Sequence, residues 1–229
     1  MKKKILVVDI GGTNVKLMIS RRKKRKFKSG PKLTPSEMVA QIKEEVEDWK
    51  FDAVSIGFPA PVRDGRILEE PKHLGKGWVR FNFEKAFGKP VRIVNDAALQ
   101  ALGSYRGGRM LFLGLGTGLG STLVLRDMVI PLELGDLPYR DDRIIEDFLG
   151  KPGMAELGEK EWERQVMSAV DQLKKSFIAD YVVLGGGSAK KLKKLPDGVE
   201  LGHNRNAFLG GVRLWQIDPR TRRPKWKIM

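Results

Sequence analysis

Glycine-rich turns beside polar residues are the first feature of this sequence that could support chemistry. In LGLGTGLGST, residues 113–122, glycine occupies every second position between two apolar runs. Glycine weakens a strand because it packs nothing and loses the most backbone entropy, so the missing side chains need a reason. Such turns let successive backbone N–H groups approach an anion, which predicts phosphate binding; an ordinary tight hairpin is the alternative.

Two further turns have the same character. DIGGTN, residues 9–14, and GGG, residues 185–187, each follow an apolar run. Asp9 could hold Mg²⁺ through water, as hard cations prefer, and Lys16 lies just beyond the first turn. The turns at 9–14 and 113–122 join strand to strand and do not match the P-loop pattern, which excludes that motif. The turn at 185–187 could support a purine base or ribose.

Hydrophobic periodicity predicts the elements that position these turns. Thr34 and Glu37 form a capping box around Pro35, which predicts a helix over 34–49. Further helices are predicted after residue 95, over about 160–178, as a lysine-rich helix after the turn at 185–187, and over 206–216. Strands are predicted over 4–9, 15–20, 53–58, 91–94, 110–114 and 121–125, and from 181. This alternation indicates an α/β protein with a largely parallel sheet.

The pattern of strand, Gly-Thr turn and strand occurs twice, in DIGGTNVKLMI and in LGLGTGLGSTLVL. This repetition predicts two lobes of related construction, each presenting a glycine hairpin. We expect the first lobe over residues 1–97 and the second over 98–217, followed by a basic tail over 218–229.

Composition excludes several classes of protein. The 229 residues contain no cysteine, which removes disulfides, thiolate zinc sites and thiol nucleophiles and favours a cytoplasmic location. No apolar run is long enough to span a membrane, and the N-terminus has no signal-peptide pattern. The net charge of +15 indicates a polyanionic partner or a generally charge-rich surface.

Six motifs occur in a fixed order: DIGGTNVK, GFPAPVRDG, VNDA, LGLGTGLGS, LELG and VVLGGGSAK. Together they resemble the ROK family of sugar kinases. PKHLGKGWVRFNF, PLELGDLPYR and IIEDFLG are similar to its polyphosphate/ATP glucokinase branch. The resemblance spans most of residues 4–215. It implies the two-lobed actin-like (ribonuclease H-like) ATPase fold, with a cleft between the lobes.

The resemblance also implies roles for individual residues. Asp96 corresponds to the catalytic base, and Asn95 beside it to a sugar ligand; from the sequence alone, Asp96 would read as a helix N-cap. Glu133 and Glu146 match the two glutamates that bind sugar hydroxyls. Mg²⁺ at Asp9 and a donor phosphate at Lys16 follow as well. The implied phosphate- and nucleotide-binding residues of the turns are Gly11, Gly12, Thr13, Gly116, Thr117, Gly118, Gly185, Gly186 and Gly187.

Three features depart from the family pattern. Asp136 stands where the family has a sugar-binding histidine, and we keep it as a substrate-binding residue although it adds a negative charge near Glu133. His73 replaces an asparagine in the sugar-side loop. The absence of cysteine excludes the zinc motif of many ROK proteins. Because Asp136 and His73 both lie on the sugar side, these departures bear on the identity of the sugar and not on the class of reaction.

Two basic segments suggest a polyanion. Residues 21–28 contain seven basic side chains in eight, and lysines recur over 190–194. We predict that 21–28 is a hairpin tip that either is solvated or captures inorganic polyphosphate by counterion release. Nucleic acid is not expected, because aromatic strand faces for base stacking are missing.

The sequence thus predicts a kinase that transfers a phosphoryl group from ATP, polyphosphate or both to a hexose. Glucose at its 6-hydroxyl is the leading acceptor, and another hexose or an amino sugar is the alternative. A third hypothesis is a non-catalytic protein that binds a polyanion or nucleic acid on a degenerate kinase fold. The resemblance permits a homodimer, and no membrane partner is expected.

Overall fold

The computed structural model describes residues 3–203 and 205–229 and contains two mixed β-sheets. The first sheet has the strand order β3-β2-β1-β4-β7, in which β1 is antiparallel to β2 and parallel to β4. Its strands are β1 (Ile5–Ile10), β2 (Asn14–Met18), β3 (Lys24–Lys28), β4 (Ala53–Phe58) and β7 (Val91–Asn95). A separate small hairpin joins β5 (Val62–Arg63) to β6 (Arg66–Ile67).

The second sheet has the order β12-β11-β8-β9-β10-β13. Its strands are β8 (Arg109–Leu115), β9 (Leu119–Leu125), β10 (Met128–Leu132), β11 (Tyr181–Gly185), β12 (Val199–Leu201) and β13 (Lys227–Ile228). The basic tail supplies β13, which pairs in parallel with β10. Trp226 anchors this tail, because its buried ring meets the Tyr105 ring edge to face at 5.8 Å.

The two sheets repeat one topology. In each, an antiparallel meander of three strands continues into two parallel strands, so β1, β2, β3, β4 and β7 correspond to β8, β9, β10, β11 and β12. This repetition confirms the two related lobes. The prediction of a largely parallel sheet was wrong, because the tight glycine turns can join only antiparallel neighbours. The lobe boundaries after residues 97 and 217 stay predictions.

The helices begin largely where their caps predict. They are α1 (Pro35–Glu45), α2 (Phe83–Phe87), α3 (Asp96–Ser104), α4 (Ile145–Leu149), α5 (Lys151–Ser176) and α6 (Asn206–Arg213). The capping box at Thr34 is present, although α1 ends at Glu45 and not at Trp49. Helix α5 begins before its predicted start and is interrupted at Gly158, whose φ is 76°. Across the described part of the chain, no helix combines the length and apolarity that a bilayer crossing requires.

The basic segment 21–28 is not a simple hairpin tip, which corrects the prediction. Only the residues before Lys24 form the turn, and Lys24–Lys28 is an edge strand paired along its whole length with β2. The strand forms because Phe27 is buried in the core of the first lobe while the alternating lysines remain exposed. The predicted lysine-rich helix after the third turn is only a 3₁₀ turn over Ser188–Lys191.

Helices α3 and α6 connect the two sheets. The Ser55 hydroxyl on β4 donates to the carbonyl of Gly211 at 2.7 Å and accepts from the Trp215 indole at 2.8 Å, which fixes the chain after α6 to the first sheet. Helix α3 packs closely along α6, since a Cβ on Gly103 would overlap the backbone oxygen of Asn206.

We expect Gly103→Ala to destabilise the protein although alanine is the better helix former. The added methyl group has backbone rather than a flexible side chain in its way, so the free energy of unfolding should fall by about 1–3 kcal/mol or more. Chemical denaturation measures this change. Gly30→Ala is the matched control: a Cβ there meets nothing within 4 Å, so stability should be unchanged or raised by less than ~1 kcal/mol. Equal effects of the two substitutions would contradict the close crossing.

Candidate active site

The two glycine hairpins end in turns of equal length. Gly11, Gly12 and Thr13 connect β1 to β2, where the Gly11 N–H donates to the carbonyl of Asn14 at 3.0 Å. Residues 116–118 connect β8 to β9 in the same way, with Gly116 N–H donating to the carbonyl of Gly118 at 3.1 Å.

Both turns border one cavity of about 290 Å³. Its lining residues are Gly12, Thr13, Pro31, Lys72, His73 and Thr117. The structure therefore brings the two predicted phosphate hairpins together, one from each lobe.

The four alternating glycines at 114–120 differ in what a side chain at each position would contact. A side chain at Gly118 would collide with the Glu146 carboxylate, and one at Gly120 would meet the Ala97 methyl group at 2.9 Å. Gly114 has ordinary contact with Phe112. At Gly116 a Cβ would stand in open space, and its φ needs no glycine. Protein packing thus accounts for Gly118 and Gly120, whereas the openness at Gly116 leaves room for a ligand.

A larger cleft of about 650 Å³ lies between the lobes. Asp9 and Lys16 line one wall, and Gly185, Gly186 and Gly187 line the other. The Lys16 ammonium contacts the Asp9 carboxylate at 3.0 Å, and this ion pair together with nearby Asp96 raises the pKa of Lys16. The third glycine turn and the two strands that flank the first glycine turn therefore face one cleft.

Asn95 and Asp96 occupy the carboxyl end of β7, and their structural roles differ. Asn95, not Asp96, caps helix α3: its buried side-chain oxygen accepts from Ala97 N at 2.9 Å and Ala98 N at 3.4 Å. Its amide nitrogen donates to the carbonyl of Ala60 at 3.4 Å. The alternative reading of Asp96 as the cap is thus wrong. The sugar contact of Asn95 stays a prediction.

Asp96 is held in an environment that favours its neutral form. Burial raises the pKa of its carboxyl from the ordinary value of 3.8 to about 7, and the negative charges of Asp9 and Glu133 act in the same direction. The Ala97 N–H, at 2.7 Å, and the Lys16 ammonium oppose this shift. A carboxyl that titrates near neutral pH is suited to accept a proton from a hydroxyl group.

The predicted sugar carboxylates form a second acidic group. Desolvation raises the pKa of Glu133, as do the charges of Asp136 and Glu146. Glu146 itself lies against the second hairpin, where its Oε2 accepts from Leu119 N at 3.3 Å and its Oε1 lies 3.6 Å from the Lys72 ammonium. Glu146 is therefore positioned between the hairpin and the acidic group.

Asp9 suits a magnesium ion held largely by phosphate oxygens and water. No cluster of three or more aspartate, glutamate or histidine side chains that could enclose a metal occurs within residues 3–203 and 205–229. Mg²⁺ in phosphoryl-transfer sites commonly binds one or two carboxylates and retains its waters. The single Asp9 carboxylate, buried at 5% exposure beside the phosphate hairpin, fits that arrangement.

Three contributing residues were missed from the sequence. Ser29 supports the first turn: its hydroxyl donates to the Gly11 carbonyl at 2.6 Å, and its N–H donates to Thr13 O at 3.2 Å. Phe112 lies beneath Gly185, and Lys72 faces Glu146. Lys72 could have been found from the sequence, because it directly precedes His73, one of the departures from the family pattern. Ser29 and Phe112 could not, because their positions depend on the strand register.

This architecture is the two-lobed fold of actin-like ATPases, with the turns of the two glycine hairpins at one cavity and Asp9 in the interlobe cleft. The ROK family model matches residues 5–130, and the chain belongs to the ROK family. A glucokinase from Pyrobaculum calidifontis is 28% identical over 131 residues. That alignment covers 55% of this chain and 40% of the relative, so the matched part is less than half of that protein's length.

Solved structures of ROK proteins share the fold. The inorganic polyphosphate/ATP-glucomannokinase of an Arthrobacter species superposes with a TM-score of 0.78 at 21% identity, covering 92% of this chain and 97% of the other. A ROK family glucokinase from Streptomyces griseus, in complex with glucose and AMPPNP, has a TM-score of 0.74 at 17% identity and covers 92% and 98%. Both superpositions cover nearly the full length of the two chains compared, which confirms the predicted fold.

The raised pKa of Asp96 predicts a dependence of stability on pH. Because the folded state binds this proton more tightly than the unfolded chain, the contribution is fully present below about pH 4 and is lost as pH rises through about 7. Asp96→Asn cannot ionise and therefore does not lose this contribution as the pH rises. The unfolding free energy of the variant minus that of the wild type should be larger at about pH 8 than at about pH 5, by up to about 3 kcal/mol.

Denaturant titrations at the two pH values measure this difference. Asp64→Asn, in an exposed turn, is the control and should behave alike at both. If Asp96→Asn shifted stability equally at both pH values, the proposed desolvation of its carboxyl would be excluded.

Proposed function

We propose that this protein is a sugar kinase that transfers the terminal phosphoryl group of ATP to the 6-hydroxyl of a hexose, with glucose as the leading acceptor. The observation that carries the proposal is Asp96, a carboxyl whose pKa is raised to about 7 by burial and by the charges of Asp9 and Glu133, in a fold that brings two glycine hairpins to one cavity. Membership of the ROK family and the fold shared with solved sugar kinases support it.

In the proposed mechanism Asp96 accepts the proton of the attacking hydroxyl. Phosphoryl transfer passes through a loose transition state, so most of the catalysis is positioning and neutralisation of charge, and the base acts late. A new bond forms between the sugar oxygen and phosphorus as the bond to the leaving phosphate breaks. Asp96 needs no strong basicity for this role, and its raised pKa lets it receive the proton at neutral pH.

The donor would be held by the glycine turns and Lys16. Backbone N–H groups of Gly12 and Thr13 and of Thr117 and Gly118 would approach the phosphates, while Gly11 and Gly116, whose N–H groups close the two turns, would shape the site. Gly185, Gly186 and Gly187 would support the adenosine. Asp9 would hold Mg²⁺, which neutralises charge on the donor phosphates. Lys16, now paired with Asp9, is within reach of the same phosphates.

The acceptor would lie near Asn95, Glu133, Asp136 and Glu146. Ionised carboxylates make strong hydrogen bonds to vicinal hydroxyls, which suits a hexose. Asp136, which cannot donate when ionised, and the unusual His73 keep another hexose or an amino sugar as the alternative acceptor. Inorganic polyphosphate is the alternative donor, since the Arthrobacter protein of the same fold is an inorganic polyphosphate/ATP-glucomannokinase.

Replacing the proposed base should abolish turnover and not folding. We expect Asp96→Asn to lower kcat by about 10²–10⁴-fold, since an amide cannot accept the proton. In the wild type, kcat/KM should rise with pH through a midpoint near 7, because only the ionised carboxyl can act. The assay measures hexose 6-phosphate formed from a panel of hexoses with ATP–Mg²⁺.

Asp64→Asn serves as the control for this experiment and should retain wild-type turnover. Full activity of Asp96→Asn would sink the assignment of the base. If the wild type phosphorylated no sugar with any donor, the result would favour the hypothesis of a non-catalytic polyanion-binding protein.

The open space at Gly116 allows a separate test of donor binding. Gly116→Ala should leave the melting temperature nearly unchanged, because a methyl group there meets no protein atom within 4 Å. It should raise the KM for ATP by about tenfold, since backbone N–H groups need close approach to the phosphates. Gly118→Ala is the contrast, because its methyl group would displace the Glu146 carboxylate. An unchanged KM in Gly116→Ala would remove the turn from the donor site.

A further inference from the structure

The alternation of basic residues along β3 separates them into two sets with different surroundings. On one face, Lys23 and Arg25 contact the Asp48 carboxylate beyond the end of α1, at 3.1 and 2.6 Å. Both also lie over the Trp49 ring, which holds them against the first lobe. These two cations thus share one carboxylate of the protein.

On the other face, Lys24 and Lys26 line the large interlobe cleft. Among the ion pairs of the described residues, neither lysine has a carboxylate partner. Lys190, from the 3₁₀ turn after the third glycine turn, lines the same cleft from the second lobe, whereas its neighbour Lys191 is turned to Glu159 on α5. Lys24, Lys26 and Lys190 thus line the cleft without a carboxylate partner among the described ion pairs, whereas Lys16 and Arg25, which also line it, are paired with Asp9 and Asp48.

Strand register continues this set into the proposed phosphate site. Asp9 pairs with Lys16 across β1 and β2, and Lys16 pairs with Lys26 across β2 and β3. Paired residues of antiparallel strands point to the same face, and neighbouring strands are about 4.8 Å apart. Lys24 follows Lys26 at about 6.7 Å along the edge strand. A row of ammonium groups therefore leads from the proposed transfer site towards solvent.

A triphosphate needs fewer cations than this row provides. We propose that Lys24 and Lys26, with Lys190 opposite, form a subsite for an inorganic phosphate chain longer than a triphosphate, in the same cleft that would hold the adenosine of ATP. This inference rests on the proposed kinase function. The two donors would exclude one another, because the chain and the adenosine would share the space between β3 and Gly185–Gly187.

The reaction from such a chain balances without a further reactant. The terminal phosphorus forms a bond to the sugar oxygen as its bond to the bridging oxygen breaks. Asp96 takes the hydroxyl proton, and the chain leaves one phosphate shorter. Lys24 and Lys26 act in binding only, so they set the choice of donor and not the rate of transfer from ATP.

The test compares two double variants that remove equal charge from one segment. Lys24→Gln/Lys26→Gln alters the cleft face, and Arg21→Gln/Arg22→Gln alters the exposed turn outside the cleft lining. We expect the cleft variant to raise the KM for size-fractionated polyphosphate roughly tenfold or more and to reduce the salt dependence of kcat/KM by a slope of about 1–2. Its KM for ATP should change less than about threefold, and the turn variant should match the wild type.

Inhibition and direct binding complete the test. Polyphosphate should compete with ATP, more strongly as its chain lengthens beyond tripolyphosphate. The subsite would be overturned if both double variants lost affinity for polyphosphate equally, or if the cleft variant lost affinity for ATP and polyphosphate equally. It would also be overturned if a DNA duplex competed with ATP as well as polyphosphate does at equal phosphate concentration. If the protein phosphorylates no sugar, calorimetry of polyphosphate binding still tests the subsite. Weaker binding in the cleft variant alone would then support the subsite, and the absence of turnover would count against the kinase proposal only.

Discussion

The ion pair between Lys16 and Asp9 is the interaction on which the candidate site depends. Two carboxylates, Asp9 and Asp96, stand at the carboxyl ends of β1 and β7, and Lys16 is the cation that offsets their charge at close range. Desolvating two like charges in one cleft is unfavourable, and Asp96 responds by retaining its proton to about pH 7. The packed strands on both sides supply the stability that keeps this arrangement in place.

The same electrostatics makes the site responsive to charge. A donor brings further negative charge into the cleft, and Lys16 would then be divided between Asp9 and phosphate oxygens. The basic face of β3 extends the supply of positive charge along the register of the first sheet. The meander β1-β2-β3 is therefore both a structural unit and the source of the field in the cleft, because one register fixes the carboxylate and the lysines together.

Local signals made part of this structure predictable. The capping box at Thr34 and the repeated Gly-Thr turns identified α1, the two hairpins and hence the related lobes. Strand β3 was not predicted, because a lysine-rich segment reads as solvated and only its pairing with β2 and the burial of Phe27 make it a strand. The capping role of Asn95 and the place of Glu146 against Gly118 depend on contacts between residues distant in sequence, which periodicity does not reveal.

Helix α6 has a consequence for how the chain reaches its native state. Ser55 makes its two hydrogen bonds to Gly211 and Trp215, which lie 156 and 160 positions further along the chain. Contacts of such separation slow folding, since a long loop must close before they form. During vectorial synthesis, one face of the first sheet would remain uncovered until α6 leaves the ribosome. In the interval before α6 emerges, that uncovered face exposes the nascent chain to aggregation.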